Sequence, residues 1–132
     1  MEPTALTPAS LATFLSGFRY RFTSEDELQR GIDRVLGEWG ASYVREHRID
    51  ARDRLDFLVA PERRGEGEPV PPGIGVEVKI GGSTAEVTRQ VHRYLQREEV
   101  TGLVLVTSRL RHQLPAEING KPVAVFHIAV AW

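Results

Sequence analysis

Three residues near the middle of the chain have side chains suited to a reaction centre. Asp56 sits inside RLDFLVA (54–60) and Glu77 inside IGVEVKI (74–80), each a carboxylate within an apolar run. A carboxylate among Val, Leu and Ile loses solvation and needs a partner. Two of them side by side on adjacent strands repel each other, and a divalent cation resolves both problems. Mg²⁺, with Mn²⁺ as a substitute, takes such hard oxygen ligands and keeps several waters. Lys79 follows Glu77 by two residues, so it projects from the same face of the same strand and sets an ammonium beside the metal. That combination suits phosphodiester hydrolysis. The metal activates a water and neutralises charge, while the lysine orients that water or stabilises charge growing on the phosphoryl oxygens. The plainer alternatives are an Asp56 paired with Arg54 or Arg45, and a Glu77–Lys79 salt bridge on an exposed strand face.

The elements that must position these residues are legible from spacing. A helix is expected at about 24–39, with Ser24 as N-cap and Glu27 three residues on in the capping-box pattern. Leu28, Ile32, Val35, Leu36 and Trp39 form its apolar stripe, and Gly40 stops it. Strands are expected at 42–49, 54–60 and 74–80, the last with Glu77 and Lys79 on one face and Ile74, Val76, Val78 and Ile80 on the other. PERRGEGEPVPPG (61–73) reads as a flexible loop. A second helix at about 84–98 follows GGS (81–83), with Ser83 and Glu86 repeating the capping-box pattern. TGLVLVTS (101–108) reads as a strand buried on both faces. Asn119-Gly120 marks a hairpin between QLPAEI and KPVAVFHIAVAW. Residues 8–17 suggest a short helix, and FRYRF (18–22) an extended segment. The order is α–β–β–β–α–β–β: a mixed sheet flanked by helices.

Asp56, a loop, then Glu77-Val78-Lys79, set in that order of elements, resembles the core signature of the PD-(D/E)XK, or restriction-endonuclease-like, nuclease superfamily. Gln90-Val91-His92-Arg93-Tyr94 is similar to the Q-x-x-x-Y element of RecB-type nucleases. The resemblance covers about residues 24–108. Leu55 stands where the family's name places proline, and the stretch from Asp56 to Glu77 is long. The resemblance implies an α/β restriction-endonuclease-like fold and a Mg²⁺-dependent nuclease, with Asp56, Glu77, the carbonyl of Val78 and a first-helix acid on the metal. Among Glu25, Asp26 and Glu27 we expect Glu25, which lies in line with Leu28 and Ile32 on the core-facing stripe; Glu27 has the capping role. Lys79 would assist the attacking water and Gln90 would position it. Tyr94 is expected either in the core or on nucleic acid. Arg89, Arg93 and Arg97 form an i, i+4, i+8 stripe that is either a solvated face or a phosphate contact. Gly81-Gly82-Ser83 offers N–H groups to a phosphate but more simply makes a turn and a cap, and it lacks the lysine of a P-loop.

Composition bounds the remaining choices. The 132 residues fit a single domain, 1–132, with 1–22 as an N-terminal extension. There is no cysteine, which excludes disulfides, zinc–thiolate sites and thiol nucleophiles. The four histidines show no ligand spacing, and no serine-hydrolase elbow is present. Only Lys79 and Lys121 are lysines among 17 basic residues, so compositional drift explains Lys79 poorly. Net charge is −1, so attraction to nucleic acid must be local. No apolar run reaches membrane-span length and no secretory signal opens the chain, which reads as cytoplasmic with no membrane partner. The resemblance, through its Q-x-x-x-Y element, implies DNA as the partner, single-stranded, end-bearing or branched, and no basic element resembles a base-reading helix, so a sequence-specific duplex site is not expected. A homodimer, a subunit of a larger nuclease complex, and a catalytically silent nuclease-fold module for nucleic-acid binding or assembly, as in a phage or mobile element, are the alternatives.

Overall fold

The computed structural model describes residues 6–40, 42–60 and 72–128. The 61–73 loop of the sequence reading falls outside these residues except at its end, where Pro72 is described and Gly73 already begins a strand.

Helix α1, Pro8–Ser16, starts at Thr7, whose side chain caps the Ser10 N–H while Ser10 returns the bond to Thr7. This is a reciprocal capping box. Helix α2, Glu25–Trp39, has Ser24 as its cap at 3.2 Å from the Glu27 N–H. The second half of the expected box is diverted, because the Glu27 carboxylate takes the hydroxyl and N–H of Thr23 instead. Strands β1, Ser42–Arg48, β2, Arg54–Ala60, and β3, Gly73–Lys79, follow, then helix α3, Thr84–Tyr94, capped by Ser83. Strands β4, Val100–Thr107, β5, Glu117–Ile118, and β6, Lys121–His127, complete the chain. Helix α3 ends at Tyr94 rather than near 98. Two hairpin side chains donate to carbonyls beyond its end, Asn119 to Leu95 at 3.0 Å and Lys121 to Arg97 at 2.7 Å. Asn119 and Gly120 both have positive φ, as a two-residue hairpin turn requires.

The six strands form one mixed sheet in the order β1-β2-β3-β4-β6-β5. Strands β1, β2 and β3 are antiparallel neighbours, β3–β4 and β4–β6 are parallel, and β5–β6 is the antiparallel hairpin. The parallel β3–β4 pair needs a crossover, and α3 supplies it. One face of the sheet (Phe57, Val59, Val76, Val78, Val104, Val106) packs on Leu28, Ile32, Val35 and Leu36 of α2 and on Leu11 and Leu15 of α1. The other (Leu58, Leu103, Leu105) packs on Val87, Val91 and Tyr94 of α3. Helices therefore cover both faces, and β4 is buried as its apolar run predicts.

The N-terminal extension joins the core: Leu11, Leu15 and Tyr20 are buried. FRYRF pairs with no strand among the described residues. Its alternation instead buries Tyr20 and packs Phe18 and Phe22 against the core, while Arg19 and Arg21 face solvent. No helix among the described residues is long and apolar enough to cross a membrane.

Candidate active site

The site lies where β2 leaves its neighbours. On the β1 side, the pairs Arg45–Phe57 and His47–Leu55 flank a gap at Glu46 and Asp56, and Glu46 has φ +52°. On the β3 side, pairing stops at Phe57–Val76. Asp56 thus has no ladder partner on either side. Leu55 packs with Leu58 in the α3 layer although Phe57 belongs to the α2 layer, so the alternation of β2 slips by one residue at Asp56.

Side chains take over the missing backbone bonds. The Asp56 N–H donates to Glu77 Oε1 at 3.1 Å, and the Val78 N–H donates to Asp56 Oδ2 at 2.7 Å. The two acids, 21 residues apart in sequence, are interlocked across the splayed strands. Gln29 of α2 donates to Asp56 Oδ1 at 3.2 Å. Lys79 Nζ stands 3.7 Å from Glu77 Oε2, with Glu77 only 3 % exposed at its side chain and Lys79 26 %. The exposed-face reading of Glu77 and Lys79 is therefore wrong for Glu77, although the two do form an ion pair. Arg45 turns to Asp33 rather than to Asp56.

Electrostatics follow from this burial. Desolvation, then the neighbouring Asp56 charge, push Glu77 up to about 8, against the opposing pull of Lys79. Desolvation likewise raises Asp56, opposed by the bond from Val78. Tyr94 is raised too, by burial first and Glu77 second. Its hydroxyl accepts a hydrogen bond from Gln90 Nε2 at 2.7 Å, and stands 3.0 Å from the Arg54 carbonyl and 3.2 Å from Glu77 Oε2, two acceptors for one proton.

Asp56, Glu77, Lys79, Gln90 and Glu25 line one cavity of about 490 Å³, together with Gln29, Arg48, Arg52 and Arg54. Glu25 is on this wall and accepts the Ile80 N–H at 3.0 Å, whereas Glu27 is turned to Thr23. No group of three His, Cys, Asp or Glu side chains placed to hold one ion occurs among the described residues, and Glu25 does not join Asp56 and Glu77 in one. The pair and the carbonyl of Val78 remain. Two hard carboxylates whose joint ionisation is opposed by burial are only partly compensated by Lys79, and a Mg²⁺ ion needs only one or two carboxylates with waters completing its shell. The donor set fits such an ion.

The other expected contacts are placed differently. Tyr94 is fully buried and is a core residue bonded to Glu77, not a surface contact. Arg93 is held by a bidentate bridge to Asp53, 2.8 and 3.0 Å, so it is not a free phosphate ligand. Arg97 is close to the Ile49 carbonyl and Glu99, while Arg89 is exposed. The Arg93 bridge braces the 50–53 turn, in which Asp50 Oδ1 also accepts the N–H groups of Arg52 and Asp53. That turn joins the strands carrying Arg48 and Arg54 at the cavity mouth. The sequence signal for this rim was the short Asp50–Asp53 connection, and for Gln29 its position one helical turn after Glu25. Ser83 acts as a helix cap, and His112 is buried between Thr84 and the Gly81 carbonyl.

No protein-family model, no curated protein and no solved structure matches the chain.

Proposed function

We propose that the chain is a metal-dependent nuclease that hydrolyses DNA phosphodiester bonds through a PD-(D/E)XK-type site in a restriction-endonuclease-like fold. The observation that carries this reading is the interlocked Asp56–Glu77 pair with Lys79 beside it at the wall of an open cavity. The order α2, three antiparallel strands, α3 and a parallel β4 supports the fold assignment. Mg²⁺ or Mn²⁺ held by Asp56, Glu77 and the Val78 carbonyl would neutralise phosphoryl charge and acidify a water.

The chain's own residues supply the rest. The Val78 and Asp56 N–H bonds fix the two carboxylates on a common edge of the splayed strands. Lys79, half-exposed beside Glu77, orients the attacking water or meets the charge growing on the phosphoryl oxygens. Gln90 has one amide N–H on the Tyr94 hydroxyl, which steadies the side chain at the cavity wall and leaves its carbonyl oxygen and second N–H to position the water. Arg48, Arg52 and Arg54 face the substrate phosphates at the mouth.

With Mg²⁺ or Mn²⁺, the protein is expected to cut single-stranded, end-bearing or branched DNA. Asp56→Ala and Lys79→Ala are each expected to lower the rate by at least about a hundredfold with an unchanged circular dichroism spectrum. Absence of cleavage of all these substrates, and of duplex DNA, with either metal refutes the proposal.

A further inference from the structure

A second cavity, of about 510 Å³, lies on the other side of the first turn of α2 and is lined by Arg19, Arg21, Arg30, Arg34 and Glu27 around Tyr20 and Gly31. Its construction follows from the sequence. The alternation of FRYRF buries Tyr20, whose hydroxyl donates to the Leu15 carbonyl at 2.8 Å, and so turns Arg19 and Arg21 outward. The Tyr20 ring lies only 3.0 Å from where a Cβ on Gly31 would stand, so the glycine lets this segment close on α2. Arg30 and Arg34, one turn apart on α2, complete the ring.

Most of the positive charge is unpaired. Arg30 pairs with Asp26 at 2.9 Å, but Arg19, Arg21 and Arg34 have no ion pair or hydrogen bond to any described residue. Glu27 is the one acid in the lining; its carboxylate accepts from Thr23 and offsets one of the four guanidinium charges. In a chain of net charge −1, four arginines around one cavity are a local concentration of guanidinium forks, which match phosphate oxygens. Glu25 lines the candidate active site and Glu27 lines this cleft, so the two open on opposite sides of the same first turn of α2.

We propose that this arginine cleft binds the backbone phosphates of the nucleic-acid strand on its way to or from the candidate active site. The identity of the ligand as DNA rests on the nuclease reading; the polyanion-binding chemistry rests on the cleft alone. The test is fluorescence anisotropy of a labelled single-stranded oligonucleotide in EDTA, where no cleavage occurs, across a salt series. Arg19→Ala/Arg21→Ala/Arg34→Ala is expected to bind roughly 10- to 100-fold more weakly at about 50 mM salt. The slope of log K against log salt should fall by about 2, or about 0.7 for each lost phosphate contact on a single strand. The corresponding triple lysine variant keeps the charge, and should keep most of that slope while binding more weakly than the arginines. These side chains are exposed, so all variants should melt with the wild type. Wild type that does not bind, or an alanine variant with the wild-type slope, overturns the proposal. Binding that depends on the arginines in a protein that never cuts with Mn²⁺ leaves the cleft standing and removes the nuclease reading. Cleavage by wild type with unaltered binding by the triple variant does the reverse.

Discussion

The buried Glu77 makes stability itself a reporter of the site. With its carboxyl raised from 4.5 to about 8 in the fold, the group is neutral in both states below pH 4.5. Between those values the unfolded chain releases a proton that the folded chain keeps, so stability falls as pH rises and the contribution is gone above about 8. The loss across that window is about 5 kcal/mol at 1.36 kcal/mol per pKa unit, and the raised Asp56 acts in the same direction. For a domain of this size, about 5 kcal/mol corresponds to a fall in Tm of roughly 15–25 °C. Glu77→Gln removes the ionisation and keeps an oxygen for the Asp56 N–H. The perturbation is therefore read as the difference between wild type and variant, by circular dichroism melts in EDTA from pH 4.5 to pH 8. The variant should melt close to wild type at the acid end and well above it at the alkaline end. Mn²⁺ should raise the wild-type Tm most at the alkaline end, where the carboxylates are ready to take a cation, and should leave Glu77→Gln little changed. A wild-type curve parallel to that of Glu77→Gln would refute the argument that desolvation and Asp56 hold the carboxyl protonated.

Two further perturbations test the frame around the site. Arg93→Ala leaves Asp53, 5 % exposed, without its bidentate partner and should cost about 2 kcal/mol in urea denaturation, discounted for the partial exposure of Arg93; an unchanged midpoint would mean that the bridge does not brace the turn. Gly102→Ala would put a Cβ 2.7 Å from the Pro8 ring and 3.0 Å from the Pro122 carbonyl, and should lower Tm by several degrees, roughly 1–3 kcal/mol. A neutral substitution there would contradict the packing of α1 on β4.

What the sequence made legible was local. The Ser24 cap, the Leu28–Ile32–Val35–Leu36 stripe, the Glu77/Lys79 alternation and the Asn119-Gly120 turn each depend on residues within a few positions of one another, and each is found as read. The proximity of Asp56 and Glu77 was inferable because two desolvated acids require a common solution. The failures came from bonds spanning long stretches of chain. Nothing near Arg93 in sequence announces Asp53, 40 residues earlier, and nothing near Tyr94 announces Glu77. Helical period placed Tyr94 beside Val87 and Val91 but left its depth open; the hydrogen bonds to Arg54, Glu77 and Gln90 explain how a hydroxyl can be fully buried there. The alternation of FRYRF shows in the structure as one buried side, with Tyr20 inward and Arg19 and Arg21 outward, without a strand partner among the described residues.

The break at Glu46 and Asp56 also bears on how the molecule behaves in a crowd. Strand β1 is the outermost strand on its side of the sheet, with a row of main-chain groups that another chain could copy. A left-handed residue in its middle bends that row, and Arg45, Glu46, His47 and Arg48 crowd it with polar and charged side chains. The irregularity that leaves Asp56 without a ladder partner thereby also interrupts the edge along which a second chain could pair.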